Sequence, residues 1–310
     1  MEISVVVPTL NSRERLAACL DALAAEAPAE ILVVNGPSAD GTSGMCRDRP
    51  DVDVLIELDD RNVNVARNAG LDRARGDVVA FVSQDLAVEA GWRDAVAAAL
   101  PAADAITGPV RRHLEVGWTA DEDDRRKVGG RAVRYLNGGN MAFTRAALEA
   151  IDGFDEHLVV GGARDASHRL AALDRVVEWV PEMAVAQRSD RSDVQPSVLA
   201  DGGDGHDWGW RYHSLAYRLA KNYGIRPAVA YRVTRHAVAD GIGTAKDVLR
   251  GEGLPSRWFA DGRDVAIGGL RGLYEGVRAR WRDRSPRRNP NGWSARSDRA
   301  VAVDDCRESV

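Results

Sequence analysis

Lysine is almost missing from this sequence. Of 42 basic residues only Lys127, Lys221 and Lys246 are lysines; the rest are arginines. Cysteine is as scarce. Cys19, Cys46 and Cys306 are odd in number and share no metal-type spacing, which excludes a disulfide framework and fits a reducing cytoplasm. No apolar run approaches the roughly 20 residues needed to span a bilayer. Met1-Glu2-Ile3 runs straight into a strand-like segment and not into a secretory signal. Work at a membrane is therefore expected on its surface. The hydrophobic share of 45% is ordinary for a globular chain, which excludes disorder of the whole.

The charge that is present is unevenly placed. The formal net charge is −5, yet residues 208–288 hold 17 Lys+Arg against 7 Asp+Glu, leaving 25 against 40 elsewhere. An acidic front thus precedes a basic back. Arginine in place of lysine on an acidic body fits a salt-adapted protein encoded by a GC-rich genome.

The front alternates strands and helices. Ile3–Val7, Ile31–Val34, Val52–Glu57 and Val78–Val82 are short apolar runs of the kind that form strands buried on both faces. Between them, helices are predicted from Asn11 or Ser12 to about Ala25, from Asp40–Met45 onward, and over Asn62–Arg75. A further helix near Gly91–Leu100, strands at Ala105–Thr107 and Met141–Phe143, a helix over Asp165–Leu173 and a strand over Arg175–Val180 complete the pattern. Such alternation predicts an α/β, Rossmann-like, mostly parallel sheet. Ligands of such sheets bind beyond the carboxyl ends of the strands, which directs attention to Pro8-Thr9-Leu10-Asn11, Asn35 to Asp40 and Ser83-Gln84-Asp85. The charge run Asp121 to Lys127 reads either as a solvated loop or as a segment near an acceptor.

Four segments carry a resemblance. They are Val5-Val6-Val7-Pro8-Thr9-Leu10-Asn11; Val33-Val34-Asn35-Gly36-Pro37-Ser38-Ala39-Asp40-Gly41-Thr42; Ala66-Arg67-Asn68-Ala69-Gly70 continuing to Phe81-Val82-Ser83-Gln84-Asp85; and Gly138-Gly139-Asn140-Met141-Ala142-Phe143 with Gly153-Phe154-Asp155-Glu156 after it. In this order and spacing they resemble the family 2 glycosyltransferases of the GT-A fold over residues 3 to about 187. The resemblance implies a nucleotide-sugar donor and a divalent cation, Mg²⁺ or Mn²⁺, to take up charge on the departing diphosphate. The family's Asp-x-Asp triplet falls on Ser83-Gln84-Asp85, so Asp85 is left as the metal ligand, and Ser83 or Gln84 as a ribose contact. Pro8, Thr9, Asn11 and Asn35 are expected near the nucleoside, with Asn35 where the family has a base-reading Asp. Arg67 resembles an arginine near the base or diphosphate; Gly138, Gly139 and Asn140 would approach the donor sugar.

The family's catalytic Glu-Asp pair falls on Arg164-Asp165. That makes Asp165 the expected general base, with the helix N-cap as its bland alternative and Asp155 and Glu156 as fallback carboxylates. Arg164 would suit a sugar carboxylate, hence a hexuronic acid.

Residues 191–207 are rich in Ser, Asp and Gly and read as a linker. Residues 208–285 interleave Trp and Tyr with Arg. They read equally as an amphipathic platform on an anionic membrane surface or as a helical extension packed on the catalytic domain. Nucleic acid is not expected, for lack of any reader motif. Residues 286–310 are expected to be a disordered tail. With its acidic, lysine-poor body, this basic end resembles haloarchaeal glycosyltransferases that extend a dolichol-phosphate-linked glycan for surface-layer glycoproteins. The resulting expectation is a GT-A domain at 1–190 with a basic helical region, acting as an inverting transferase. A non-catalytic nucleotide-sugar-binding partner, or an enzyme of exopolysaccharide synthesis, is the alternative.

Overall fold

The computed structural model describes residues 1–114, 117–187, 208–226, 255–282, 285 and 288–308. Its centre is four parallel strands: β1 (Ile3–Thr9), β2 (Glu30–Asn35), β3 (Val54–Leu58) and β4 (Val78–Val82), in spatial order β3-β2-β1-β4. All but one of their residues are buried, as expected of strands covered on both faces. Val5 and Val7 meet α1 (Arg13–Glu26) through Leu16 and Leu20, whereas Val6 points to the other layer, against α3 (Val63–Arg73). Two hydrophobic layers thus sandwich one sheet, as the period-2 pattern demands. At Gly70 a Cβ would stand 2.4 Å from a Val6 methyl, so glycine lets α3 lie directly on β1.

The sheet continues past β4 through β11 (Asn140–Thr144), β6 (Ala105–Thr107) and β12 (Val177–Trp179), with β11 antiparallel to both neighbours. A second sheet of β5 (Leu86–Val88), β13 (Val185–Gln187), β7 (Val110–Leu114) and β8 (Gly117–Ala120) stands beside the β4 end. Helices α2 (Thr42–Arg47), α4 (Trp92–Ala99), α5 (Arg145–Ala150) and α6 (Gly162–Ala172) and a hairpin of β9 (Arg125–Val128) and β10 (Arg131–Arg134) complete the front. Helix α3 starts where the sequence suggests, with Asn62 Oδ1 accepting from the Asn64 amide at 2.8 Å. Helix α1 starts differently. Ser12 makes no side-chain cap, and Asp40 from the β2 loop accepts the Arg13 amide at 2.9 Å while also closing the turn onto Thr42.

One expectation for the back changes. Beyond residue 288 the chain is no disordered tail. Strand β14 (Ala300–Asp305) pairs antiparallel with β3 and becomes the eighth strand of the main sheet. It is anchored by Arg73–Asp298, Arg299–Asp60 and Arg307–Glu30 ion pairs. These lie at contacts between segments distant in sequence, so no local pattern announces them.

The basic helices are packed as well. Helix α7 (Trp208–Tyr223) lies against α8 (Pro255–Arg282) with glycine-level closeness. A Cβ on Gly268, Gly272 or Gly276 would sit 2.2, 2.1 or 2.4 Å from the carbonyl oxygens of Gly209, His213 and Tyr217. The other face of α7 presents His213, Tyr217 and Lys221, at i, i+4 and i+8, to the catalytic front. The expected linker at 191–207 lies outside the described residues.

Candidate active site

A cleft of about 550 Å³ opens beside the carboxyl end of β4. Ser83 and Asp85 form one wall, the Gly138-Gly139 turn before β11 lies beside them, and Arg164 at the start of α6 faces in. These five are the predicted residues that the fold brings together. Glycine at 139 is required by the approach: a Cβ there would stand 2.8 Å from Leu86 and 3.3 Å from Ser83 Oγ.

Asp85 is half-buried and, among the described residues, in no ion pair. The Gln187 side-chain amide, 3.3 Å from Oδ2, is its polar neighbour from β13. Burial pushes its carboxyl above the ordinary value, and the more distant charges of Arg15 and Arg112 do not offset that. An anionic oxygen withdrawn from water without a fixed counter-charge suits a mobile cation. The neighbouring Ser83 hydroxyl and Gln187 side-chain oxygen are hard donors of the kind Mg²⁺ and Mn²⁺ accept, so the residues present fit such an ion.

The opposite wall comes from the charge run. Asp121, Glu122 and Asp124 all line the cleft. Asp121 is occupied, accepting from Arg112 at 2.6 Å and from Asn137 at 2.7 Å. Asp124 accepts from Arg126 at 2.6 Å and lies 3.7 Å from Arg164. Glu122 is exposed and has no bonded partner among the described residues. Arg164 also lies 4.7 Å over the Tyr135 ring. Trp179 of β12 adds an aromatic wall.

The remaining predicted residues are placed elsewhere. Asp165 is one turn into α6 but points away from the cleft and is wholly buried. It accepts from Arg169 Nε at 2.7 Å, Lys221 Nζ at 2.8 Å and Asn222 Nδ2 at 2.8 Å. Although burial pushes its carboxyl up, the charges of Lys221 and Arg169 and the bonds from Lys221 and Asn222 outweigh it and hold the group well below the carboxylate range. A carboxylate so placed has no path to an acceptor hydroxyl and little basicity, so the expectation of a base at Asp165 is corrected. The fallbacks fare alike. Asp155 is buried and bonded to Tyr217 at 2.9 Å and Lys221 at 2.5 Å; Glu156 is paired with Arg296 at 3.2 Å.

Gln84 turns inward, its Oε1 accepting from Thr9 Oγ1 at 2.7 Å and from the Leu10 amide at 2.8 Å, which pins β4 to the end of β1. Arg67 lies buried under the Gly138 turn, donating to the Gly138 carbonyl at 2.8 Å and to Asn64 at 3.0 Å; it shapes the turn rather than touching the cleft. Asn140 is buried, accepting from the Trp92 indole at 3.0 Å and donating to the Met183 carbonyl at 2.6 Å. Asn35 is bonded to Ser38 at 2.7 Å and Ser43 at 2.9 Å, and Asn11 exchanges bonds with Ser38 and Ala39, both at 2.8 Å. Pro8 is buried in β1 opposite Val34, and Thr9 opposite Asn35. Asn35, Asn11, Pro8 and Thr9 sit at the ends of β1, which neighbours β4, and of β2 next to it, outside the 550 Å³ cleft.

The sequence did not single out Trp179, Gln187, Arg112, Tyr135 or Asn137. They reach the cleft only through β7, β12, β13 and the segment before β11. The Asp121–Lys127 charge run was the one available signal for the far wall.

A parallel sheet whose strand ends meet a cleft with one cation-ready carboxylate has the architecture of the GT-A glycosyltransferases. Residues 4–152, just under half of the chain, match the family model described as glycosyl transferase family 2. Over 202 residues the chain is 25% identical to glycosyltransferase AglE of Haloferax volcanii, covering 58% of this chain and 66% of that one. It is 34% identical over 89 residues to glycosyltransferase GlyA of Streptococcus pneumoniae, covering 27% of this chain and 13% of that one. The chain therefore spans less than two thirds of either relative's length. Mannosyltransferase PcManGT from Pyrobaculum calidifontis, solved with GDP-Man and Mn²⁺, is similar with a TM-score of 0.54 at 19% identity, over 88% of this chain and 87% of that one. S. aureus TarS 1–349, solved with UDP-GlcNAc, is similar with a TM-score of 0.55 at 14% identity, over 91% of each. At these identities the likeness is one of fold.

Proposed function

We propose that this protein is a divalent-metal-dependent inverting glycosyltransferase that moves a hexose or hexuronic acid from a nucleotide sugar to a lipid-linked oligosaccharide. The observation that carries the reading is Asp85: a carboxylate at the end of β4, facing a cleft, raised by burial and in no ion pair among the described residues. Asp85, with Ser83 and Gln187 beside it, would hold Mg²⁺ or Mn²⁺. The ion would supply positive charge for the leaving diphosphate. Gly138 and Gly139 leave room for the donor, and Trp179 offers a face for a sugar ring. Glu122, the second cleft carboxylate in no ion pair among the described residues, takes the acceptor proton in place of Asp165. Arg164 at the cleft supports a carboxylate-bearing sugar.

The place of action is the cytoplasmic face of the cell membrane, with a dolichol-phosphate-linked glycan bound for a surface-layer glycoprotein as acceptor. The similarity to AglE supports the acceptor class. Helix α8 supports the surface. Ile267, Leu270, Tyr274 and Trp281, each more than half exposed, line one helical face together with Arg271, Arg278 and Arg282. Aromatic and arginine side chains so arranged suit the headgroup level of an anionic bilayer. No helix among the described residues is long and apolar enough to cross one.

The burial of Asp165 favours a second reading, a nucleotide-sugar-binding partner without turnover. The two separate in one experiment. Purified protein is given a panel of nucleotide sugars with Mn²⁺ or Mg²⁺ and lipid-linked glycans isolated from a deletion strain, whose mass spectra identify the truncated acceptor. Transfer lost in Asp85→Asn and Glu122→Gln supports the enzyme. Metal-dependent donor binding with no transfer to any such glycan supports the partner. Uronic-acid transfer at normal rate by Arg164→Ala would remove the role given to that arginine.

A further inference from the structure

The stripe on α7 that docks the helices ends in a cluster the cleft does not use. His157 lies in the turn between α5 and α6, His213 on α7 and Glu275 on α8, and none of them lines the cleft. Their donor atoms all lie within 4.8 Å of one another; among the described residues this is the one such group of three His, Cys or acidic side chains. Both imidazoles aim Nε2 at the same carboxylate oxygen. His157 is 3.0 Å and His213 2.7 Å from Glu275 Oε2.

These spacings are close to those of a metal site. Zinc bound tetrahedrally, with bonds of about 2.0–2.2 Å to nitrogen and oxygen, holds its ligand atoms about 3.3 Å apart. To admit it, the two nitrogen–oxygen distances of 3.0 and 2.7 Å need to lengthen by about 0.3 and 0.6 Å. The second carboxylate oxygen, Oε1, accepts from Arg271 Nε at 2.9 Å, an outer partner that fixes the orientation of the carboxylate. His157 is 38% exposed, which leaves an entry path and a position for water. Two imidazole nitrogens and one carboxylate suit zinc and its first-row neighbours and are poor ligands for Mg²⁺.

We propose that His157, His213 and Glu275 form a second metal site that takes Zn²⁺ or a similar late first-row divalent ion and staples the α7–α8 pair to the catalytic front. The site joins three segments far apart in sequence. One metal there restrains the front, α7 and α8 together. The role is structural, and it is independent of the cation expected at Asp85.

The test uses the full chain stripped with chelator, dialysed against Zn²⁺ and assayed for bound zinc by mass spectrometry. Asp85→Asn, which lacks the cleft carboxylate, retains a single Zn²⁺ whether or not the protein transfers sugar. His157→Ala and Glu275→Gln in that background lose it, with affinity falling by more than the roughly 10–100-fold that loss of an outer partner costs. Zn²⁺ raises the melting temperature of Asp85→Asn and leaves that of the His157→Ala double variant unmoved. His157 also packs on Tyr217 of α7, with ring centroids 4.7 Å apart, so the quantity compared is the zinc-induced shift within each variant, which a general loss of stability does not supply. Equal zinc content with and without His157 and Glu275, or no zinc in Asp85→Asn, overturns the proposal.

Discussion

Asp85 and Asp165 show two ways of keeping a carboxylate out of water. At the cleft, Asp85 has no cation bonded to it among the described residues, and burial raises its carboxyl. In the seam beneath α7, Asp165 is buried more deeply yet is held low by Lys221, Arg169 and Asn222. The seam is closed: Lys221 bridges Asp155 and Asp165, and Arg169 also donates to the Gly153 carbonyl at 2.9 Å. The cleft is open, and its charge is left for something that arrives. A compensated buried charge specifies packing, whereas an uncompensated one at a cavity marks chemistry.

That contrast can be broken or sharpened by substitution. The largest expected effect is on turnover: Asp85→Asn lowers transfer by roughly 10³–10⁴-fold, the several kcal/mol a metal ion contributes, while the melting temperature holds or rises. A variant retaining wild-type transfer would end the cleft half of the contrast. Next is Lys221→Met, which strands two buried carboxylates and is expected to cost about 3–5 kcal/mol in denaturant unfolding. A loss below about 1 kcal/mol, the surface-pair range, would show that the seam is not a buried ion network. Glu122→Gln is expected to lower transfer by roughly 10²-fold or more with unfolding unchanged, whereas Asp165→Asn should destabilise the fold; a base at Asp165 predicts the reverse pairing.

The two carboxyls also differ in pH dependence. Asp165, held low when folded, contributes stability that is complete above the ordinary aspartate value near pH 4 and is lost as pH falls toward its folded value. Asp85, raised when folded, favours the fold while protonated, and that contribution is lost as pH rises through its folded value. Added Mn²⁺ should therefore raise the melting temperature more at neutral than at acid pH, and should do so less in Asp85→Asn. The smallest effect is expected on α8, where Trp281→Ala changes stability by less than about 0.5 kcal/mol but lowers partition onto anionic vesicles. Unchanged partition would leave the exposed face of α8 without a membrane role.

The sequence revealed the central sheet because strands buried on both faces are written as continuous apolar runs. It also pointed to Ser83 and Asp85, because ligands gather at strand ends, and the family resemblance added Gly138, Gly139 and Arg164, which line the same cleft. It misplaced Asp165, because one helix start offers a carboxylate to the cleft or to the core according to which side of the first turn it occupies. Arg164 and Asp165 are adjacent in sequence and face opposite ways. Strand β14 escaped notice because an antiparallel edge pairing with residues about 245 positions earlier leaves no local period.

Composition and alternation by themselves determined an α/β domain with a strand-end carboxylate and a basic aromatic back. Only the tertiary structure decided which carboxylates are compensated. Lys221, Asn222 and Gln187 reach theirs from elements dozens of residues away, and charge pairing depends on distance in space, which residue order along the chain does not encode.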